Sequence, residues 1–304
     1  GTQRSLITVN AGGAFVFTGT MDDATNREVN IANNGVVKFA GSNSITLNGV
    51  LSGAASNGHT YIFSNSGTTT LLGVNTSNTA HTYVRNGTLV IATGNADTIQ
   101  NDNDLHVLRG ATLSVAGNET IGALHMQRGA VTTISAGVTL TVDDAQNQLI
   151  AGSFQGAGNL TLAGGSYMAM YGTNTATGAL SVVNGGLQLN QVGNAIGSFS
   201  SITLGGGTTG GKLEYIGSGE TFSGNITLAG TNTTANAGGS NRITANGNGA
   251  FVLNGNLTST AVNTLQLTGQ TGGYFNPITN IINGTITQTG GTLTLAVNPK
   301  VADD

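Results

Sequence analysis

Few residues in this chain could do chemistry, and they are thinly spread. Its thirteen acidic residues include the close pairs Asp22/Asp23, Asp102/Asp104, Asp143/Asp144 and Asp303/Asp304. Clustered acids are what carbohydrate-cleaving sites and hard-cation sites are built from. Adjacent residues on a strand point to opposite faces, so Asp22/Asp23 and Asp143/Asp144 cannot line one groove as strand residues and read as solvated corner charges. Asp102 and Asp104, in DTIQNDNDL (97–105), could share a face or form an oxygen-rich loop. That segment lacks the Gly and distal Glu of a calcium loop. No metal site is therefore assigned, and Asp102 and Asp104 come nearest to one. The histidines are His59, His81, His106 and His125. His106 and His125 both sit in Leu-His strands, about one coil length apart, and could stack on an outer face as a metal-binding or pH-sensing pair. With no third ligand evident, they read as surface ladder residues.

Nucleophile and nucleotide motifs are absent. No G-x-S-x-G elbow occurs in a strand–turn–helix setting, and no G-x-G-x-x-G opens a helix, so no catalytic residue, cofactor-binding residue or cofactor is assigned. The Asn-x-Thr triplets at Asn86, Asn118, Asn225 and Asn256 are expected by chance in a chain so rich in Asn and Thr. Tyr61, Tyr83, Tyr167, Tyr171, Tyr215 and Tyr274 could mark a sugar-binding stripe, but such rings more often cap corners or pack between coils.

The elements that must position these residues are strands. Gly contributes 49 of 304 residues and Pro only 2, charged residues are 7%, and 38% are hydrophobic, many in strict alternation. That is the texture of an ordered β chain rather than a disordered one. There is no Cys, hence no disulfide framework. A net charge of −4 with nine scattered basic residues argues against a nucleic-acid partner. No apolar run reaches the roughly 20 residues of a membrane span, so no transmembrane segment is expected. The chain starts at Gly1 without a leader, as a mature or trimmed segment would.

Helical periodicity is confined to Met21–Ile31, where a corner leading into a strand is an equal reading. Elsewhere one phrase returns: TLVI (88–91), TLSV (112–115), TLTV (139–142), SITL (201–204), NITL (225–228), TLQL (264–267) and TLTL (292–295), each set off by Gly-rich corners. Monotonous units along the whole length favour a solenoid over a sandwich. Inward positions then become Leu, Val and Ile ladders and outward positions Thr, Ser and Asn, with Asn able to stack along the axis. The fold expected is all-β: a single right-handed parallel β-helix (β-solenoid) with about three short strands and about 20 to 25 residues per coil. It would be one continuous domain over 1–304, less regular at 1–25 and 270–304.

These residues resemble the autotransporter-associated β-strand repeat of bacterial surface and secreted proteins. The best stretches are Gly156–Leu189 and Ser201–Thr258, with SITLGGGTTGGKLEYIGSGETFSGNITLAG, and Val36–Ala92 also fits. The resemblance implies a parallel β-helix outside the cell or on a bacterial surface, and it brings no defined active-site residues. The strand-rich ends, SLITVNAGGAFVF (5–17) and TLTLAVNP (292–299), suggest head-to-tail pairing. The function expected is therefore an extracellular structural protein, a fibre, filament or surface-matrix subunit, not an enzyme. Its partners would be itself or other surface and matrix components. Two other readings are an adhesin passenger that binds a host or matrix ligand, and a β-helix polysaccharide lyase or hydrolase.

Overall fold

In the computed structural model the described residues are 7–10, 12–19, 23–25, 28–31, 35–53, 60–73, 81–91, 98–99, 101, 103–190, 195–230, 241–245, 249–260, 263–267, 281–290 and 293–297. Among them the chain is all-β without a helix, its parallel strands stacked as a β-solenoid. The described part of the Met21–Ile31 segment forms the strands Asp23–Thr25 and Val29–Ile31. Strand pairing with Ile45–Leu47 and Leu51–Gly53 decides this segment, overriding the weak helical signal of its two Asp residues. No helix long and apolar enough to cross a membrane is present among the described residues.

Backbone contacts group the chain into two compact units: Gly1–Asp144 with Ile150–Gly158, and Ala145–Leu149 with Asn159–Asp304. In the first unit, one sheet stacks Ala14–Gly19, Val36–Gly41, Thr60–Asn65, His81–Val84, Leu105–Val107 and Leu124–Met126, each parallel to the next. A second sheet stacks Asp23–Thr25, Ile45–Leu47, Thr68–Leu71, Thr88–Ile91, Thr112–Val115, Val131–Ile134 and Ser153–Gln155. Further faces come from Ile7–Val9, Val29–Ile31 and Leu51–Gly53, and from the pair Glu119–Ile121 and Thr139–Val142. A coil thus turns through two or three short strands.

Register makes the core. Phe17, Phe39, Phe63, Val84, Val107, Met126 and Ile150 stand in one inward column. Within it the rings of Phe39 and Phe63 stack at 5.2 Å, close to the spacing of neighbouring strands. Leu47, Leu71, Ile91, Val115 and Ile134 form a second column. Because the side-chain period is 2, a slip of one residue would turn a whole column to solvent, so burial holds the register.

The second unit repeats the device. Leu160, Leu180, Ile202, Ile226, Leu257 and Ile286 form one column, and Met168, Leu187, Leu213 and Ile243 another. Coil length departs from expectation here. Facing residues are 19 apart at Tyr167/Gly186 but 30 apart at Lys212/Arg242, and the longer coil carries the additional strand Glu220–Phe222 while the ladder stays intact.

The corners use Asn and Gly in different ways. Asn118, Asn225 and Asn256, three of the Asn-x-Thr positions, accept the amides of Thr139, Asn256 and Thr285 one coil on, at 2.8, 2.9 and 3.0 Å. The Asn283 amide donates to Asn254 Oδ1 at 2.7 Å, so Asn does run along the axis. Gly87, in the Asn-Gly corner, adopts φ +63°, and a Cβ there would overlap the carbonyl oxygens of Asn65 and Gly67. Only glycine fits at that corner.

Candidate functional site

The residues with chemical potential meet on an outward face of the first unit. The strand His81–Val84 (HTYV) lies one coil before Leu105–Val107 (LHV), with Tyr83 facing His106. His106 in turn faces His125 of Leu124–Met126. In all three strands the alternation buries the flanking residues, Thr82 and Val84, Leu105 and Val107, Leu124 and Met126, and turns the ring residues outward. The rings therefore stack: Tyr83 on His106 at 4.6 Å and 12°, His106 on His125 at 4.7 Å and 16°. Both distances match the spacing between strands, so the backbone ladder sets the ring stack. The Arg85 guanidinium lies 5.8 Å from the Tyr83 ring centre, a cation–π contact.

A second column stands beside the first. The Thr82 amide donates to the Asp104 carbonyl at 2.9 Å, which brings His81 level with Asp104. His81 Nδ1 is 3.3 Å from Asp104 Oδ2, and the two side chains are 48% and 38% exposed. Asp104 and His106 are two residues apart and point the same way. One ligand atom from each of His81, Asp104 and His106 lies within 4.8 Å of the other two. Burial holds the His106 imidazolium at a disadvantage, lowering its pKa to about 4. The neighbouring His125 and His81 add to that effect and Asp104 opposes it.

Thus His106 and His125 do stack on an outer face, as the coil-length spacing suggested. Asp104 joins two histidines there; Asp102 lies outside the described residues, as do His59, Asp22 and the Asp303/Asp304 pair. The group that gathers around His106 is His81 and Asp104, and His125 is not part of it. His81 was hidden because it looks isolated in sequence, and Asp104 reads there as the partner of Asp102 rather than of the histidines. The signal was present in HTYV and DLHV, two outward i, i+2 pairs separated by one coil. Asp143 is exposed and Asp144 half-buried just after a strand, as corner charges.

The tyrosines do not form a stripe among the described residues. Tyr61 and Tyr215 are buried in the core, and Tyr61 donates its hydroxyl to the Ser52 carbonyl at 2.9 Å. Burial, with the charge of Glu28, pushes the Tyr61 phenol well above its ordinary range. Tyr83 joins the ring stack, Tyr171 is exposed, and Tyr167 is half-buried with the Lys212 ammonium 5.8 Å from its ring centre.

Two buried acids also escape a reading by acid pairs. Glu119 points inward and accepts the amides of Ile99 at 2.7 Å and Thr98 at 3.1 Å. Glu220, 6% exposed, accepts the Ile196 amide at 2.7 Å. Each opens a strand of the form Glu-Thr-apolar (ETI, ETF) and ties down a corner about one coil earlier.

No protein-family model matches this sequence, and no curated protein matches it.

Proposed function

We propose that this chain is a structural β-solenoid, a subunit of an extracellular fibre or surface matrix that adds to its own kind end to end. The observation that carries the reading is the inward column from Phe17 to Ile150, one apolar residue per coil in unbroken register. Each rung is recognised by parallel backbone hydrogen bonds and an apolar contact, both generic to every coil. An edge rung offers the same surface to the edge rung of another copy. Ile286 continues the Leu160–Leu257 column and is 42% exposed, where Leu257 one coil before is fully buried.

The likeness to the autotransporter-associated strand repeat and the outward face of Thr, Ser and Asn support a place outside the cell or on a bacterial surface. Negative-stain microscopy of the purified chain tests the reading. Particles that lengthen with protein concentration are expected. Uniform single particles across concentration and salt would overturn it.

A further inference from the structure

We propose that His81, Asp104 and His106 form a binding site for a late first-row divalent metal ion of the zinc(II) type, held across two successive coils. Two imidazoles and a carboxylate are a donor set that suits this class of ion and not the hard cations, which take oxygen ligands. Ligand distances of about 2.0 to 2.2 Å place the corners of a tetrahedral site about 3.3 to 3.6 Å apart. His81 Nδ1 and Asp104 Oδ2 already stand at 3.3 Å. The full set lies within 4.8 Å, so the ligand atoms must close by roughly an ångström, within the reach of rotation of the exposed His81 and Asp104 side chains toward the stacked His106. The three groups leave a fourth position to solvent.

The scaffold favours this arrangement. His81 belongs to one coil, Asp104 and His106 to the next, and parallel pairing of Thr82 with Leu105 fixes their mutual height. The Tyr83 and His125 rings hold His106 between them, so its ring plane is set before an ion arrives. An ion bound here would staple neighbouring coils, adding to the hydrogen bonds that already join them. The site needs neither self-association nor an extracellular setting, and so it stands apart from the structural reading.

Calorimetric titration of the intact chain with zinc chloride near neutral pH is the test, repeated with H81N, D104N and H106Q. The expected result is one saturable zinc per chain, weakened at least ~10-fold by each substitution. The D143N control, with its acid outside the cluster, should bind as the wild type does. All four positions are wholly or partly exposed, so folding should survive; matched circular dichroism melts of the metal-free proteins check that. Cobalt(II) in place of zinc supplies a second readout, since low-symmetry nitrogen–oxygen coordination gives visible absorption that D104N should change. Non-saturating binding, several equivalent weak sites, or affinity indifferent to H81N and D104N would overturn the proposal.

Discussion

The Ile196 amide donates a 2.7 Å hydrogen bond to the carboxylate of Glu220, an acid buried one coil later inside the second unit. Burial raises the Glu220 pKa, while the amides of Ile196, Ala195 and Gly197 pull it back. A folded-state pKa above the unfolded value means the folded chain holds the proton to higher pH. That contribution to stability is complete below the unfolded pKa and is lost as pH rises through the raised value. E220Q removes the titration, so its urea midpoint should gain on the wild type as pH climbs out of the carboxylate range. E220A should cost about 1–3 kcal/mol by stranding the amide. A parallel pH dependence in wild type and E220Q would refute the assignment.

His106 works with the opposite sign. Its pKa is lowered to about 4, chiefly by burial, so the folded state resists the proton that the unfolded chain takes near 6.5. Stability supplied above 6.5 is therefore lost as pH falls through about 4. In chelator-treated protein, H106Q should show a shallower loss of thermal midpoint over that interval. Equal slopes in the two proteins would count against it.

Thr69 sits in an inward column between Ile45 and Leu89, and its hydroxyl has no hydrogen-bond partner among the described residues. A buried polar group without a partner is costly, and valine has nearly its shape. T69V should raise the unfolding free energy by about 1 kcal/mol in urea titration. A loss of stability would mean the hydroxyl is satisfied.

Leu113 is fully buried between Leu89 and Thr132, and Ser114 next to it faces outward. L113A should cost about 3 kcal/mol through lost burial and the cavity it leaves. S114A should change stability by less than about 0.5 kcal/mol. Similar values for the two would contradict the assigned faces.

The repeats made the fold legible because alternation of one apolar and one small polar residue is itself the structure of a half-buried strand. They did not show which face a strand occupies. TLVI (88–91) and TLSV (112–115) pair with each other, yet TLTV (139–142) pairs with Glu119–Ile121 in a different sheet. The phrase encodes a strand and its corner, and the coil is set by how many such units close a turn. The same limit hid the site. His106 and His125 share a recognisable Leu-His context, whereas His81 and Asp104 meet only once the register Thr82–Leu105 is known. Glu119 and Glu220 escaped because an acid in an inward position breaks the alternation that defines the strand, and its amide partners lie a coil away.

Coil-on-coil stacking through generic rungs is tested most directly by sedimentation velocity of the wild type against I286K. Lysine at position 286 would place a charge at the exposed Ile286 of the column that includes Leu257, where the proposed stacking would seat another rung. The expected result is a wild-type sedimentation coefficient that rises with protein concentration and an I286K coefficient that stays at the single-chain value. A wild type that sediments as one invariant species, or an I286K variant that grows just as the wild type does, would contradict end-to-end addition through this rung.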